Sequence, residues 1–212
     1  MCVESSEGGP RELTGQGGAN RAELGTWRAV EPWPAATWLA HVNVPWWIAG
    51  GWALDLFLNE ASRVHMDLDV GVLRRDIGDV LVALRDWEHF EARDGTLTHL
   101  RVGAAPRVDV HSLWCRPMGT ASWTLEIMLD ESDGKFWLFR RDPSIRRPLS
   151  TLTQLGVSNI RYLAPEIQLL YKAKAFRPND QADFERVVPR LDTAARSWLQ
   201  DSLTKLRRAI RG

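Results

Sequence analysis

Residues 46–55 read Trp-Trp-Ile-Ala-Gly-Gly-Trp-Ala-Leu-Asp, and residues 63–73 read Arg-Val-His-Met-Asp-Leu-Asp-Val-Gly-Val-Leu. The first stretch opens with a short apolar run between Pro45 and Gly50, the signature of a buried strand. Gly50-Gly51 makes a sharp turn, and residues 52–59 carry apolar side chains at helical spacing, interrupted by Asp55. Residues 67–73 alternate acidic and aliphatic side chains before a closing apolar run, which predicts a second strand. On a strand, positions two apart share a face. Asp67 and Asp69 therefore project together and are placed to share Mg²⁺, a hard cation that takes oxygen ligands and keeps substrate phosphates in its shell. By itself, Asp-x-Asp also describes a solvated strand face. Likewise, Gly-Gly ahead of a helix lets backbone N–H groups approach a phosphate without a Cβ in the way, yet an isolated pair is only a turn. The two motifs gain meaning from their separation by one helix and one loop.

Working outward, residues 1–24 are rich in Gly, Ser, Glu and Arg and poor in apolar side chains, which predicts a disordered N-terminal segment. A short helix is expected over 34–41, with Pro34 in the first helical position. Downstream, residues 77–87 form an amphipathic pattern. Strands are expected at 90–92, 97–102 and 107–115, then a hairpin of 123–129 and 135–140 around Ser132-Asp133-Gly134. After Pro165 the pattern becomes helical, over 166–176, 181–188 and 193–210. The chain thus reads as α+β: a core over 25–160 with a mixed sheet and helices, and a helical segment over 161–212.

The 212 residues carry 27 basic and 27 acidic side chains, a formal net charge of zero. This argues against a nucleic-acid partner that needs a broadly basic face. Cys2 and Cys115 form neither a disulfide framework nor a zinc spacing, and the expected setting is a reducing cytoplasm. No apolar run reaches the ~20 residues of a membrane span, so no membrane partner is expected, and no signal peptide is visible. The 11 tryptophans are unusual. Trp46, Trp47 and Trp52, around the glycine pair, read either as core or as an aromatic wall for a ring-bearing ligand.

A third acid, Asp109, lies in Arg107-Val108-Asp109-Val110-His111. An acid between aliphatic neighbours on a strand is costly unless paired or metal-bound, so Asp109 is expected to complete a carboxylate cage with Asp67 and Asp69. The alternative is an edge-strand acid facing water. His111, two residues on, would share its face and orient Asp109, touch the acceptor, or merely hydrogen-bond nearby. Arg140, Arg141, Arg146 and Arg147 cluster around Pro143, as phosphate contacts or as a solvated loop.

Taken together, Gly50-Gly51-Trp52-Ala53-Leu54-Asp55, then Arg63-x-His65-x-Asp67-x-Asp69, then Asp109-Val110-His111 resemble the aminoglycoside 2''-adenylyltransferase and lincosamide nucleotidyltransferase group of the polymerase-β-like nucleotidyltransferase superfamily. The resemblance spans residues 46–188. It implies a polymerase-β-like core of mixed sheet and helices, with the helical segment closing the cleft. Asp67 and Asp69 would hold Mg²⁺, Gly50 and Gly51 would line the triphosphate, and Asp109 would be a metal ligand or the catalytic base. Arg63 would contact phosphate and His65 would brace the acidic strand. Residues 162–170 resemble the start of the family's C-terminal helix. Lys172 and Lys174 follow on it as phosphate contacts, Lys174 alternatively as an ion-pair partner of Asp180 or Asp183. The implied reaction is attack of a small-molecule hydroxyl on the α-phosphorus of an NTP, with ATP as the expected donor. Asp109 is the first candidate for the proton acceptor and Glu126 the second. The tail departs from that of the aminoglycoside enzymes, so the acceptor stays open between aminoglycoside-like and lincosamide-like antibiotics. Two other readings remain: a transferase that modifies a protein partner, and a non-catalytic nucleotide-binding module, which three acids disfavour.

Overall fold

The structure, a computed structural model, describes residues 12–14, 24–156, 159–174 and 177–211. Most of the segment expected to be disordered lies outside these residues. Within it, Glu12–Thr14 (β1) pairs as an edge strand. A short helix (α1, Trp33–Trp38) leads to β2 (Trp46–Ile48), α2 (Gly50–Leu58) and β3 (Asp69–Leu73). Next come α3 (Ile77–Ala83), β4 (Trp87–Arg93), β5 (Thr96–His99), β6 (Ser112–Pro117) and β7 (Leu125–Ser132). The chain continues through β8 (Phe136–Leu138), β9 (Arg146–Pro148), β10 (Thr153–Leu155) and β11 (Arg161–Leu163), then α4 (Pro165–Lys172), α5 (Pro178–Val187) and α6 (Thr193–Arg211).

The strands make one mixed sheet in the order β1-β5-β4-β6-β7-β3-β2-β11-β10, with β8 extending from β7 and β9 from β8. Its centre is the parallel pair β3–β7, in which Asp69 lies opposite Glu126. The apolar positions of β2, β3 and β7 place Trp47, Ile48, Val70, Val72 and Ile127 in the main buried core. Burial of this kind stabilises by about 25 cal/mol per Å² of apolar surface removed from water. A second, smaller core of Phe90, Leu97, Trp114 and Trp123 covers the outer strands.

Several expected boundaries move. The helix expected over 77–87 stops at Ala83, and Trp87 instead starts β4 and pairs with β6. The strand expected over 107–115 starts only at Ser112. Pro106 has no N–H to give a ladder, and Val110 N closes a turn onto Arg107 O at 3.1 Å instead. Strands β9, β10 and β11 were not expected; three residues are too few to show a period of two.

Candidate active site

The site begins at the corner where β2 passes into α2. Gly50 has φ 65°, a left-handed value, and a Cβ there would lie 1.8 Å from Asp69 Oδ2. Only glycine lets the chain turn this close to the acid. At Gly51 a Cβ would lie 2.4 Å from the His65 ring and 2.6 Å from Arg63 Nη2. The Gly-Gly pair therefore fits the neighbouring Arg63, His65 and Asp69 side chains closely. His65 Nε2 donates to Asp55 Oδ2 at 2.7 Å, and Ser62 N donates to the same oxygen at 3.0 Å. Burial pushes the Asp55 carboxyl up, but the bonds from His65 and Ser62 outweigh it and hold it below the ordinary aspartate range. Asp55, which interrupts the apolar pattern of α2, thereby ties that helix to the loop that delivers Asp67. Trp52 stacks on His65 with ring centroids 4.4 Å apart, and Trp47 is core, so neither forms an open aromatic wall.

Asp67, just ahead of β3, Asp69 on β3 and Glu126 on β7 offer oxygens that all lie within 4.8 Å of one another. The register explains the meeting: Glu126 N donates to Leu68 O at 2.9 Å, which sets Glu126 beside Asp69 on one face. Ser112 Oγ donates to Glu126 Oε1 at 2.5 Å and fixes that carboxylate. Three hard oxygen donors from adjacent strands suit Mg²⁺ by their chemistry.

These acids sit in a cleft of about 740 Å³ that is also lined by Gly50, Gly51 and a set of cations: Arg63, Arg140, Arg141, Lys172, Lys174 and Arg177. Several are held by fixed partners. Lys172 Nζ lies 3.2 Å from Asp180 and 2.8 Å from Asp183. Asp180 in turn binds Arg177 at 2.9 Å. Burial raises the Asp180 carboxyl, yet Arg177 and Lys172 bring it below its ordinary range. Arg141 donates to Tyr171 O at 3.2 Å, while the Tyr171 hydroxyl donates to Asp130 Oδ1 at 2.6 Å. Of the cluster around Pro143, Arg140 and Arg141 reach the cleft. Arg146 lies over Phe136, and Arg147 pairs with the buried Glu166 at 2.6 Å. The ion pair considered for Lys174 is made by Lys172 instead.

The structure does not bring Asp109 to the acid group, a correction to the expected cage. With the turn at 107–110, its half-exposed carboxylate pairs with Arg93. His111 does not orient it either. Its Nδ1 lies 3.2 Å from Arg74, and burial, followed by the charges of Arg140 and Arg74, lowers its pKa below the usual histidine value. The third acid is Glu126, which the sequence offered only as a second candidate base. Its signal was available: an acid flanked by Leu125 and Ile127 in an apolar strand, the same argument that favoured Asp109.

A parallel β3–β7 centre, a helix N-terminus at Gly-Gly and converging acids over a basic cleft together describe a nucleotidyltransferase core. Residues 35–187 match the family profile described as aminoglycoside-2''-adenylyltransferase, and the chain belongs to that family. It is a nucleotidyltransferase. No curated protein sequence matches it. Among solved structures, the lincosamide antibiotic adenylyltransferase LnuA with lincomycin bound is 16% identical. That match covers 73% of this chain and 92% of the other, with a TM-score of 0.52. ANT(2'')-Ia in complex with adenylyl-2''-tobramycin is 13% identical over 80% of this chain and 93% of the other, with a TM-score of 0.56. A solution structure of ANT(2'')-Ia is 14% identical over 82% and 90%, with a TM-score of 0.53. These similarities share the fold. Among the described residues, no helix is long and apolar enough to cross a membrane.

Proposed function

We propose that this enzyme transfers AMP from ATP, with Mg²⁺, to a hydroxyl of an antibiotic-like small molecule. The observation that carries the reading is the convergence of Asp67, Asp69 and Glu126 within 4.8 Å at a cleft lined by six cationic side chains. Asp67, Asp69 and Glu126 are the residues that would hold Mg²⁺, which neutralises phosphate charge and favours departure of pyrophosphate. Gly51, in the first turn of α2, gives the triphosphate close backbone approach, and Gly50, whose own amide donates to Gln168, keeps the turn free of a Cβ. Arg63, Lys172 and Lys174 supply positive charge along it. The acceptor oxygen bonds to the α-phosphorus, the bond to pyrophosphate breaks, and Glu126 receives the hydroxyl proton. Glu126 takes the base role first considered for Asp109 because it stands beside Asp69, with Ser112 fixing its orientation. Fixed charges and donors of this kind act without reorganising during the reaction.

The test is transfer of α-labelled AMP from ATP in Mg²⁺, with lincomycin and tobramycin as separate acceptors and products identified by mass. A labelled adduct on a hydroxyl is expected, and chelation of the metal should abolish it. Labelling of neither acceptor nor any other hydroxylated small molecule in a broad panel would overturn the reading.

A further inference from the structure

The cleft holds few carboxylates available to an acceptor. Among its described lining residues the acids are Asp67, Asp69, Glu126, Asp130 and Asp180. The first three form the metal-competent group. Asp180 is held by Lys172 and Arg177. Asp130 Oδ1 accepts from both Trp137 Nε1 at 2.9 Å and the Tyr171 hydroxyl at 2.6 Å. Burial pushes that carboxyl toward its neutral form. The cations of the cleft answer the charge of a triphosphate. No comparable excess of negative charge remains for a polycation, which needs carboxylates facing its ammonium groups.

A second hollow, of about 270 Å³, shares Glu126 with the cleft. Across the β6–β7 ladder Glu126 lies opposite Trp114, so the aromatic side chain continues the face that bears the acid. Leu24, Ala92 and Trp114 give this hollow apolar surface. Among the described residues, its charged side chains besides Glu126 are Arg93 and Asp94, which pair with each other at 3.3 Å. Arg93 also pairs with Asp109, so the rim is close to balanced.

Resting on the nucleotidyl transfer proposed above, we infer that the acceptor seats in the hollow beside Glu126 and Trp114, and that it is a hydroxylated amphiphile with at most one positive charge rather than a polyamine. Its apolar part lies on Leu24, Ala92 and Trp114. Its reactive hydroxyl meets Glu126, whose other side faces the nucleotide. Lack of carboxylates, not size, excludes polycationic aminosugars.

The test is a binding equilibrium on the full-length protein in Mg²⁺ with a non-transferable ATP analogue, read by calorimetry. The probes are a monoamino alkyl glycoside and a polyamino trisaccharide. The alkyl glycoside is expected to bind at least about tenfold more tightly. Equal or tighter binding of the polyamine would overturn the inference. Thr96→Glu, which adds an acid to the rim of the hollow, is expected to shift the ratio toward the polyamine by about fivefold, the scale of one partly exposed ion pair. An unchanged ratio in a folded variant would overturn the location. The wild-type ratio decides the chemical class even where the variant fails to fold. The analogue cannot transfer its nucleotide, so failure of catalysis leaves this result untouched. Efficient transfer to polyamines would overturn this inference while upholding the transferase.

Discussion

Asp69 and Asp109 are both aspartates flanked by aliphatic residues, yet their surroundings differ in every respect. Asp69 sits on a central strand, against the backbone of Gly50, with two further carboxylates within 4.8 Å. Asp109 sits in a turn, half exposed, with Arg93 as its counter-ion. Gathering like charges raises the free energy of the apo protein, a cost that a bound cation offsets. Pairing an exposed acid with an arginine is close to neutral. The contrast teaches that rigid neighbours and strand pairing, not apolar flanking residues, decide which acids are gathered together.

The widest separation is expected in turnover. Asp69→Asn should lower AMP transfer by about 10²–10³ or more, the loss typical of removing one transition-state electrostatic contact. Asp109→Asn should stay within about twofold of wild type in rate and in Mg²⁺–ATP affinity. A crippled Asp109→Asn with intact Asp69→Asn would invert the comparison. A second contrast uses two glycines of positive φ. Gly50→Ala combines left-handed strain of about 1–2 kcal/mol with overpacking of about 1–3 kcal/mol against Asp69. Gly103→Ala, where φ is 78° and nothing lies within 4 Å, should show only the strain of about 1–2 kcal/mol. Urea unfolding of both variants measures the difference.

Much of the acid corner was legible because its logic is local. Gly50-Gly51, Asp55, His65, Asp67 and Asp69 fall within twenty residues, and strand and helix periods fix which of them meet. Glu126 was not, because its place depends on a parallel pairing between β3 and β7 that no local pattern reveals. Asp109 and Glu126 have the same kind of flanking residues, and only Pro106 and the turn after it separate the strand acid from the loop acid. The short β9, β10 and β11 were invisible for a related reason: their partners, not their own sequences, make them strands.

Acid titration probes the corner from another side. The Asp55 carboxyl is held below its ordinary range in the folded protein. Its contribution is therefore fully present above the unfolded value, about 3.9, and is lost as pH falls through the lower folded value. Asp55→Asn should be less stable than wild type at neutral pH, with the gap narrowing below about pH 4 in urea midpoints. A gap that widens on acidification would contradict the assigned sign. The smallest effect is expected at the exposed pair: Arg93→Ala should cost under about 1 kcal/mol, and less at high salt. A larger loss would mean that the turn at 107–110 depends on Arg93 more than its exposure implies.

The amide of Gly50 is not left open on the face of α2; it donates to Gln168 Oε1 on α4 at 2.9 Å. Just before α4, β11 lies parallel to β2, with Tyr162 opposite Ile48. The C-terminal helices are thus stitched to the turn that begins the site. For protein engineering this sets where the chain divides into exchangeable parts. A chimera that swaps tails at residue 160 would cut β11 away from β10, and would replace Gln168 opposite a donor that stays behind. A graft that carries β10, β11 and α4 together keeps the β10–β11 pair whole and needs a glutamine at position 168 to keep the bond from Gly50, so the unit of recombination is strand pair plus helix rather than helices alone.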